Sequence, residues 1–192
     1  MKLLIIPFIM LLASCMSMPP AVSSSTVIPI SGLTILPPEQ GKWHKVQHSA
    51  YQLVLMSRGK EKDESVGINI SLFQLPKFNS DDQFLSYVTQ GRSQEPKTGR
   101  FNILKNQEAI TSLKNAKCIK HHSISEDKGA KKVTSNSSSM LMENIGFNCK
   151  HPLNESVGVN IEYSLRHYQD SSYDSLEKDA SSFFNTINFV KF

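Results

Sequence analysis

Residues 157–165 read VGVNIEYSL, and in this run apolar side chains alternate with glycine or polar ones. Successive side chains of an extended chain point to opposite faces, so this period of two predicts a strand with one buried face. The apolar side is formed by Val157, Val159, Ile161, Tyr163 and Leu165. The other side is formed by Gly158, Asn160, Glu162, Ser164 and, after the run, Arg166.

A second run, SVGINISL at residues 65–72, has the same period and predicts a second half-buried strand. Residues 64–70 and 155–161 agree at six of seven positions. Duplication of a strand–helix unit would explain this match. However, strands with one apolar face draw on few residue types, so chance similarity also stays open.

Two segments have helical patterns. Ser80 and Gln83 form a capping-box pattern before an apolar helical face that includes Phe84. Near the C-terminus, apolar residues recur at helical spacing: Tyr173, Leu176, Ala180, Phe183, Phe184 and Ile187. Further strand patterns occur at residues 51–56, 101–104, 116–124, 139–149 and 188–192. Runs of strands with segregated helices predict an α+β domain, with a mostly antiparallel sheet and two amphipathic helices.

The N-terminus has the layout of a secretory signal. Lys2 precedes an apolar stretch at residues 3–12, far shorter than the roughly 20 residues of a transmembrane helix. The stretch ends in Leu12-Ala13-Ser14-Cys15, which resembles the bacterial lipobox at all four positions. The resemblance implies that residues 1–14 are a signal peptide. It also implies that the Cys15 thiol receives a diacylglycerol and that its new amine is usually acylated.

The same resemblance suggests where the protein resides. In Gram-negative lipoproteins, an Asp after the lipidated cysteine favours retention in the inner membrane, and this chain has Met16 there. We therefore expect a lipid-anchored protein of the bacterial cell envelope, on the outer membrane and facing the periplasm. Residues 15–40 are rich in Pro and Ser and are predicted to form a linker, part of which (27–30 or 33–36) docks as an edge strand. Residues 41–192 are predicted to form a single α+β domain.

The order of elements in this domain resembles the PsbP-like α/β sandwich. The residues behind the resemblance are Trp43, the SVGINISL strand, the SDDQFLSYV helix and the SSFFNTINF segment. Domains of this kind mostly bind or scaffold and are rarely enzymes. The resemblance covers about 150 residues and implies a fold, but no particular ligand.

The two remaining cysteines, Cys118 and Cys149, lie in adjacent strand-like stretches. An exported protein meets an oxidising compartment, so we predict a disulfide between them. The alternative is a zinc or copper site in which His122 and His151 join the thiols. Against it, the four-residue spacing of Cys118 and His122 separates them by about 13 Å along a strand. We therefore expect no metal and no other cofactor.

The distribution of charge and the lack of known catalytic motifs exclude some classes of function. The net charge is +4, with basic residues concentrated in residues 97–132 and acidic ones in 151–192. No Phe, Trp or Tyr interrupts residues 105–132, so we do not expect nucleic-acid binding. No G-x-S-x-G, H-E-x-x-H, Walker A or G-x-G-x-x-G motif is present, so we do not expect an enzyme.

Three functions stay open at this point. The first is an envelope lipoprotein whose non-catalytic domain binds or scaffolds another envelope component, such as a protein partner. The second is a lipoprotein that binds a small ligand or a metal. The third is a hydrolase whose site has no recognised motif. The sequence does not predict the oligomeric state.

Overall fold

The computed structural model describes residues 19–93, 99–132, 139–171, 173 and 176–192. The predicted signal peptide and Cys15, the predicted site of lipidation, lie outside these residues. The described residues form strands β1 (Ala21–Val22), β2 (Ile28–Ile30), β3 (Leu33–Ile35), β4 (Trp43–His48), β5 (Gln52–Arg58), β6 (Ser65–Gln74), β7 (Phe101–Leu113), β8 (Ala116–Asp127), β9 (Met140–His151), β10 (Asn154–Tyr168) and β11 (Asn188–Phe189). They also form helices α1 (Asp81–Ser93) and α2 (Leu176–Phe184).

The strands form two antiparallel sheets. The main sheet has eight strands in the order β1-β4-β5-β6-β10-β9-β8-β7, and a small sheet has the order β11-β3-β2. This arrangement confirms the predicted α+β class with its mostly antiparallel sheet and its two helices. Neither helix in the described ranges is long and apolar enough to cross a bilayer.

The two alternating runs pair with each other at the centre of the main sheet. Ile161 of β10 lies opposite Ile70 of β6, and Tyr163 lies opposite Ile68. Since faces alternate along each strand, the register places apolar residues on one side of the sheet. We call this side the apolar face; its central residues are Leu53, Leu55, Ile68, Ile70, Val159, Ile161, Tyr163 and Leu165. The opposite side is the polar face; its residues include Asn69, His121, Asn144, Asn148, Asn160, Glu162, Ser164 and Arg166.

Each face is covered by a different helix. On the apolar face, α2 buries Ala180 and Phe183 completely, and the ring of Phe184 meets that of Phe147 at 4.8 Å between centroids. On the polar face, α1 packs Phe84 and Val88 against Ile119 of β8. The helices therefore lie on opposite sides of the main sheet, and each forms one wall of a different cleft.

The N-terminal region differs from the predicted linker. Both stretches considered as docking strands form, as the hairpin β2–β3, and β3 also pairs with β11. Ile28, Ile30, Leu33 and Ile35 are buried in the main core. Gly32 makes the turn of this hairpin with a φ of 74°, a conformation that favours glycine. In each of these short strands the apolar residues are two positions apart, so they lie on one side of the strand and pack into the core. The folded domain therefore begins before Gly41.

Candidate functional site

The cysteines predicted to pair lie opposite each other in the sheet. Cys118 of β8 and Cys149 of β9 are register partners, and both are almost completely buried on the apolar face. Their sulfur atoms are 2.01 Å apart, which is a disulfide bond. The bond joins two neighbouring strands near one end of the sheet and removes both thiols from consideration as ligands or nucleophiles.

The two histidines of the alternative metal site have separate partners. The His122 Nε2 atom lies 2.6 Å from a carboxylate oxygen of Glu143. The His151 Nε2 atom donates to the Gly32 carbonyl at 2.8 Å, and its ring packs against Phe189 and Phe192. Within the described ranges, no three His, Cys, Asp or Glu residues come together as a metal-binding group. The structure therefore does not bring His122 and His151 to one site.

A cleft of about 590 Å³ opens on the apolar face, between α2, the loop at residues 36–41 and the turn between β5 and β6. Its walls include the buried aromatic side chains of Trp43, Tyr163 and Phe183. The Tyr163 ring lies 6.1 Å from each of the other two ring centroids. We call this the aromatic cleft.

Charged side chains surround the aromatic cleft. Its lining includes the exposed cations Arg58, Lys60 and Lys178, together with the carboxylates of Glu39 and Asp179. Burial, and to a smaller extent the charge of Asp179, raise the pKa of Tyr163 above its ordinary value. The Tyr163 hydroxyl therefore stays protonated at neutral pH. It can donate a hydrogen bond, but it is not a phenolate nucleophile.

Buried Glu64 holds one wall of this cleft in place. Its carboxylate accepts hydrogen bonds from the Tyr173 hydroxyl at 2.6 Å, the Ser171 hydroxyl at 2.8 Å, the Glu61 N–H at 3.0 Å and the Tyr168 N–H at 3.1 Å. Burial acts to raise the pKa of Glu64, but these donors outweigh it and the pKa is lowered. The same burial and the bond to Glu64 raise the pKa of Tyr173 to about 12.

A second cleft, of about 490 Å³, lies on the polar face beside the C-terminal half of α1. Its lining consists of Phe73, Tyr87, Val88, Gln90, Gly91, Arg92, Asn148, Asn160 and Glu162. Arg92 is held at its edge by Glu108 of β7, with 2.9 Å between Nε and Oε1. The Thr89 hydroxyl donates to the other Glu108 oxygen at 2.7 Å. We call this the polar cleft.

Below the polar cleft, a histidine lies over a glycine. A Cβ built on Gly146 would come within 2.8 Å of the His121 ring, so a larger residue there would displace the imidazole. Because Gly146 leaves this space, the His121 Nε2 atom reaches to 3.6 Å from a carboxylate oxygen of Glu162. Within the described part of the chain, neither His121 ring nitrogen nor the Asn148 amide nitrogen has a hydrogen-bond partner, although all three atoms are buried.

The sequence did not predict either cleft. Asn148, Asn160 and Glu162 were only polar positions of predicted strands, and His121 was one of two adjacent histidines. The sequence feature that could have indicated the polar cleft was the set of amide and carboxylate residues that alternate with apolar residues in neighbouring strands. Their meeting at one place depends on the register of β8, β9 and β10, which the sequence alone does not give.

Comparison with known proteins assigns no family. No protein-family model matches the chain, and no curated protein matches it. A crystal structure of a protein from Bacteroides thetaiotaomicron VPI-5482 aligns with a TM-score of 0.42 and 10% identity, over 88% of this chain. The alignment covers 49% of that protein, so the chain spans about half its length. A TM-score this low assigns neither a fold family nor a function.

Proposed function

We propose that this chain is a lipid-anchored protein of the bacterial envelope, and that its non-catalytic domain binds another envelope component in the aromatic cleft. The lipobox-like residues at 12–15 support the anchor, and Met16 in place of Asp after the cysteine supports the outer-membrane location. The order of strands and helices supports the resemblance to the PsbP-like sandwich and its binding role, and this fold assignment is part of the proposal.

The observation that carries the binding role is the aromatic cleft. Binding sites are typically concave, largely apolar and supplied with a few placed polar groups. Here the rings of Trp43, Tyr163 and Phe183 are almost completely buried and form a rigid support for the cleft. The half-buried side chains of Val66 and Tyr173 offer apolar and aromatic contact area, and exposed cations lie at the rim. The arrangement suits an envelope molecule or segment with an apolar part and an anionic group.

Two neighbouring serines of α2 provide the test. Ser181 and Ser182 are both exposed, but only Ser182 lines the aromatic cleft. A photoreactive phenylalanine analogue would be placed at each position in turn, in cells that make the full-length protein. We expect a specific crosslinked adduct from position 182 and none from position 181. Identical adducts from both positions, or none from either, would overturn the proposed role of the cleft.

The anchor has its own test. Cys15→Ser removes the thiol that the lipid requires, so we expect the precursor to stay unprocessed and to lack acyl groups by mass spectrometry. Ser14→Ala keeps a small residue before the cysteine and is the matched control, which should mature normally. A Cys15→Ser protein with the mass and membrane fractionation of the wild type would contradict the anchor.

A further inference from the structure

The polar cleft has a different chemistry from the aromatic cleft and lies on the opposite face of the sheet. Asn148, Asn160 and Glu162 come from adjacent positions of β9 and β10, where Asn148 is the register partner of Asn160. On the other side, α1 contributes Tyr87 and Arg92. A ligand in this cleft would therefore touch none of the residues that line the aromatic cleft.

Polar side chains of the sheet line this cleft side by side. Asn148 is 7% exposed, Asn160 is half-buried, and the side chain of Glu162 is 27% exposed. The Asn148 amide nitrogen has no hydrogen-bond partner in the described residues, but it has almost no accessible surface, so a ligand would meet the oxygen side of this amide. The accessible polar atoms of these three side chains can bind a ligand that enters the cleft.

The polar groups match a molecule with several hydroxyl groups. The Asn148 amide oxygen and the Glu162 carboxylate can each accept a hydrogen bond, and the Asn160 amide can donate or accept one. A hydroxyl group donates and accepts, so adjacent hydroxyls satisfy all three side chains. Phe73 and Tyr87 add aromatic surface to the same cleft, against which the C–H face of a sugar ring can pack.

Charge selects against ionised ligands. The Arg92 guanidinium is engaged by Glu108 and is not left as a free cation for an anionic group. Glu162 has a side chain that is 27% exposed, and its carboxylate would repel an anion. A cationic ligand would instead lie near Arg92. A neutral ligand avoids both repulsions.

We propose that the polar cleft binds a neutral polyhydroxylated ligand, namely a sugar ring or a short glycan segment. Asn148 and Glu162 accept hydrogen bonds from ligand hydroxyls, while His121 packs beneath and positions the Glu162 carboxylate. This inference goes beyond the proposed function and does not depend on it. Failure of sugar binding leaves the Ser182 crosslinking result unchanged, and the reverse also holds.

The test uses the full-length protein in a detergent without a sugar headgroup. Saturation-transfer NMR measures binding of two neutral disaccharides, maltose and N,N′-diacetylchitobiose, and of two charged sugars, glucosamine and glucuronate. We expect at least one neutral disaccharide to bind more tightly than either charged sugar. Asn148→Leu should weaken that binding about tenfold, which corresponds to the loss of one hydrogen bond. Glu162→Gln should weaken it less, because an amide oxygen still accepts.

Asn144→Leu is the matched control. Asn144 lies on the same face of the same strand and is half-buried, but it is not part of the cleft lining. It should bind the disaccharide as the wild type does, and both leucine variants are first checked for cooperative unfolding. The proposal is overturned if no neutral disaccharide binds at tens of millimolar or if a charged sugar binds best. It is also overturned if Asn148→Leu and Asn144→Leu behave alike.

Discussion

The polar groups buried beside the two clefts of the main sheet differ in how well they are partnered. On the apolar face, Ile161 is completely buried, and beside the aromatic cleft the buried carboxylate of Glu64 has four donors. On the polar face, the buried amide nitrogen of Asn148 has no hydrogen-bond partner in the described residues. The first arrangement stabilises the fold, and the second leaves the cost of burying an amide nitrogen uncompensated. Substitutions on each side should therefore differ in size and in sign.

The largest effect is expected from the centre of the apolar face. Ile161→Ala removes a side chain with no solvent exposure and leaves a cavity, so it should lower the free energy of unfolding by about 3–4 kcal/mol. Asn160→Ala, one residue away on the polar face, should change it by less than about 1 kcal/mol. Urea denaturation of the two variants measures both values. Equal losses would contradict the division of stability between the faces.

Reduction of the disulfide on the apolar face should cause the next largest loss of stability. Cys118 and Cys149 are separated by 31 residues, and closing a loop of this size stabilises a fold by about 3.7 kcal/mol in the chain-entropy model. Reducing the wild-type protein should lower its free energy of unfolding by that amount. The double variant Cys118→Ser/Cys149→Ser is the control, since its stability should not respond to the reductant. A wild type that is equally indifferent would show that the bond does not stabilise the domain.

The sequence predicted best those strands in which buried and exposed side chains alternate. Residues 65–72 and 157–165 show this period, and they became the central pair β6 and β10. Strand β7 runs from Phe101 to Leu113, whereas the sequence predicted only 101–104. This strand is mostly exposed and lies at the end of the sheet order, so backbone hydrogen bonds to β8 define it and no apolar pattern marks it. The hairpin β2–β3 was only partly predicted, because the Pro- and Ser-rich composition around it indicated a linker.

The candidate sites were harder to predict for a related reason. The disulfide could be predicted because a chain with a predicted export signal has two cysteines in neighbouring predicted strands, and these have one obvious pairing. The clefts depend on which residues face each other across strands. His121 reaches Glu162 only because Gly146 lies between them, and that arrangement comes from the register of three strands. Glu64 gave no sequence signal, since its donors lie more than 100 residues away, apart from Glu61.

Removing the charge of Glu64 should cost about 2 kcal/mol, because Glu64→Gln cannot accept all of its hydrogen bonds as a carboxylate does. The lowered pKa of Glu64 adds a pH dependence. Its contribution is fully present above the ordinary pKa of 4.5 and is lost as the pH falls through the lower pKa of the folded state. The stability difference between wild type and Glu64→Gln should therefore be constant near neutral pH and should shrink below about pH 4.5.

Urea denaturation at several pH values measures this difference. The exposed neighbour Glu61→Gln is the control, and it should stay close to the wild type at every pH. If the Glu64→Gln difference instead grew as the pH fell, the carboxylate would be stabilised in its protonated form, and the hydrogen-bonding role of the four donors would be wrong.

The smallest change in the free energy of unfolding is expected from a substitution of Asn148, and this change should be an increase. Asn148→Leu replaces an amide whose buried nitrogen has no partner in the described ranges with an apolar side chain of similar size, so the desolvation penalty of that nitrogen disappears. In the absence of ligand, the free energy of unfolding should stay the same or rise by up to about 1 kcal/mol, as read from urea denaturation. Asn144→Leu, which is half-buried and outside the cleft, provides the comparison. A loss of more than about 1 kcal/mol in Asn148→Leu alone would mean that the amide stabilises the fold as Glu64 does, and the two faces would then bury polar groups in the same way.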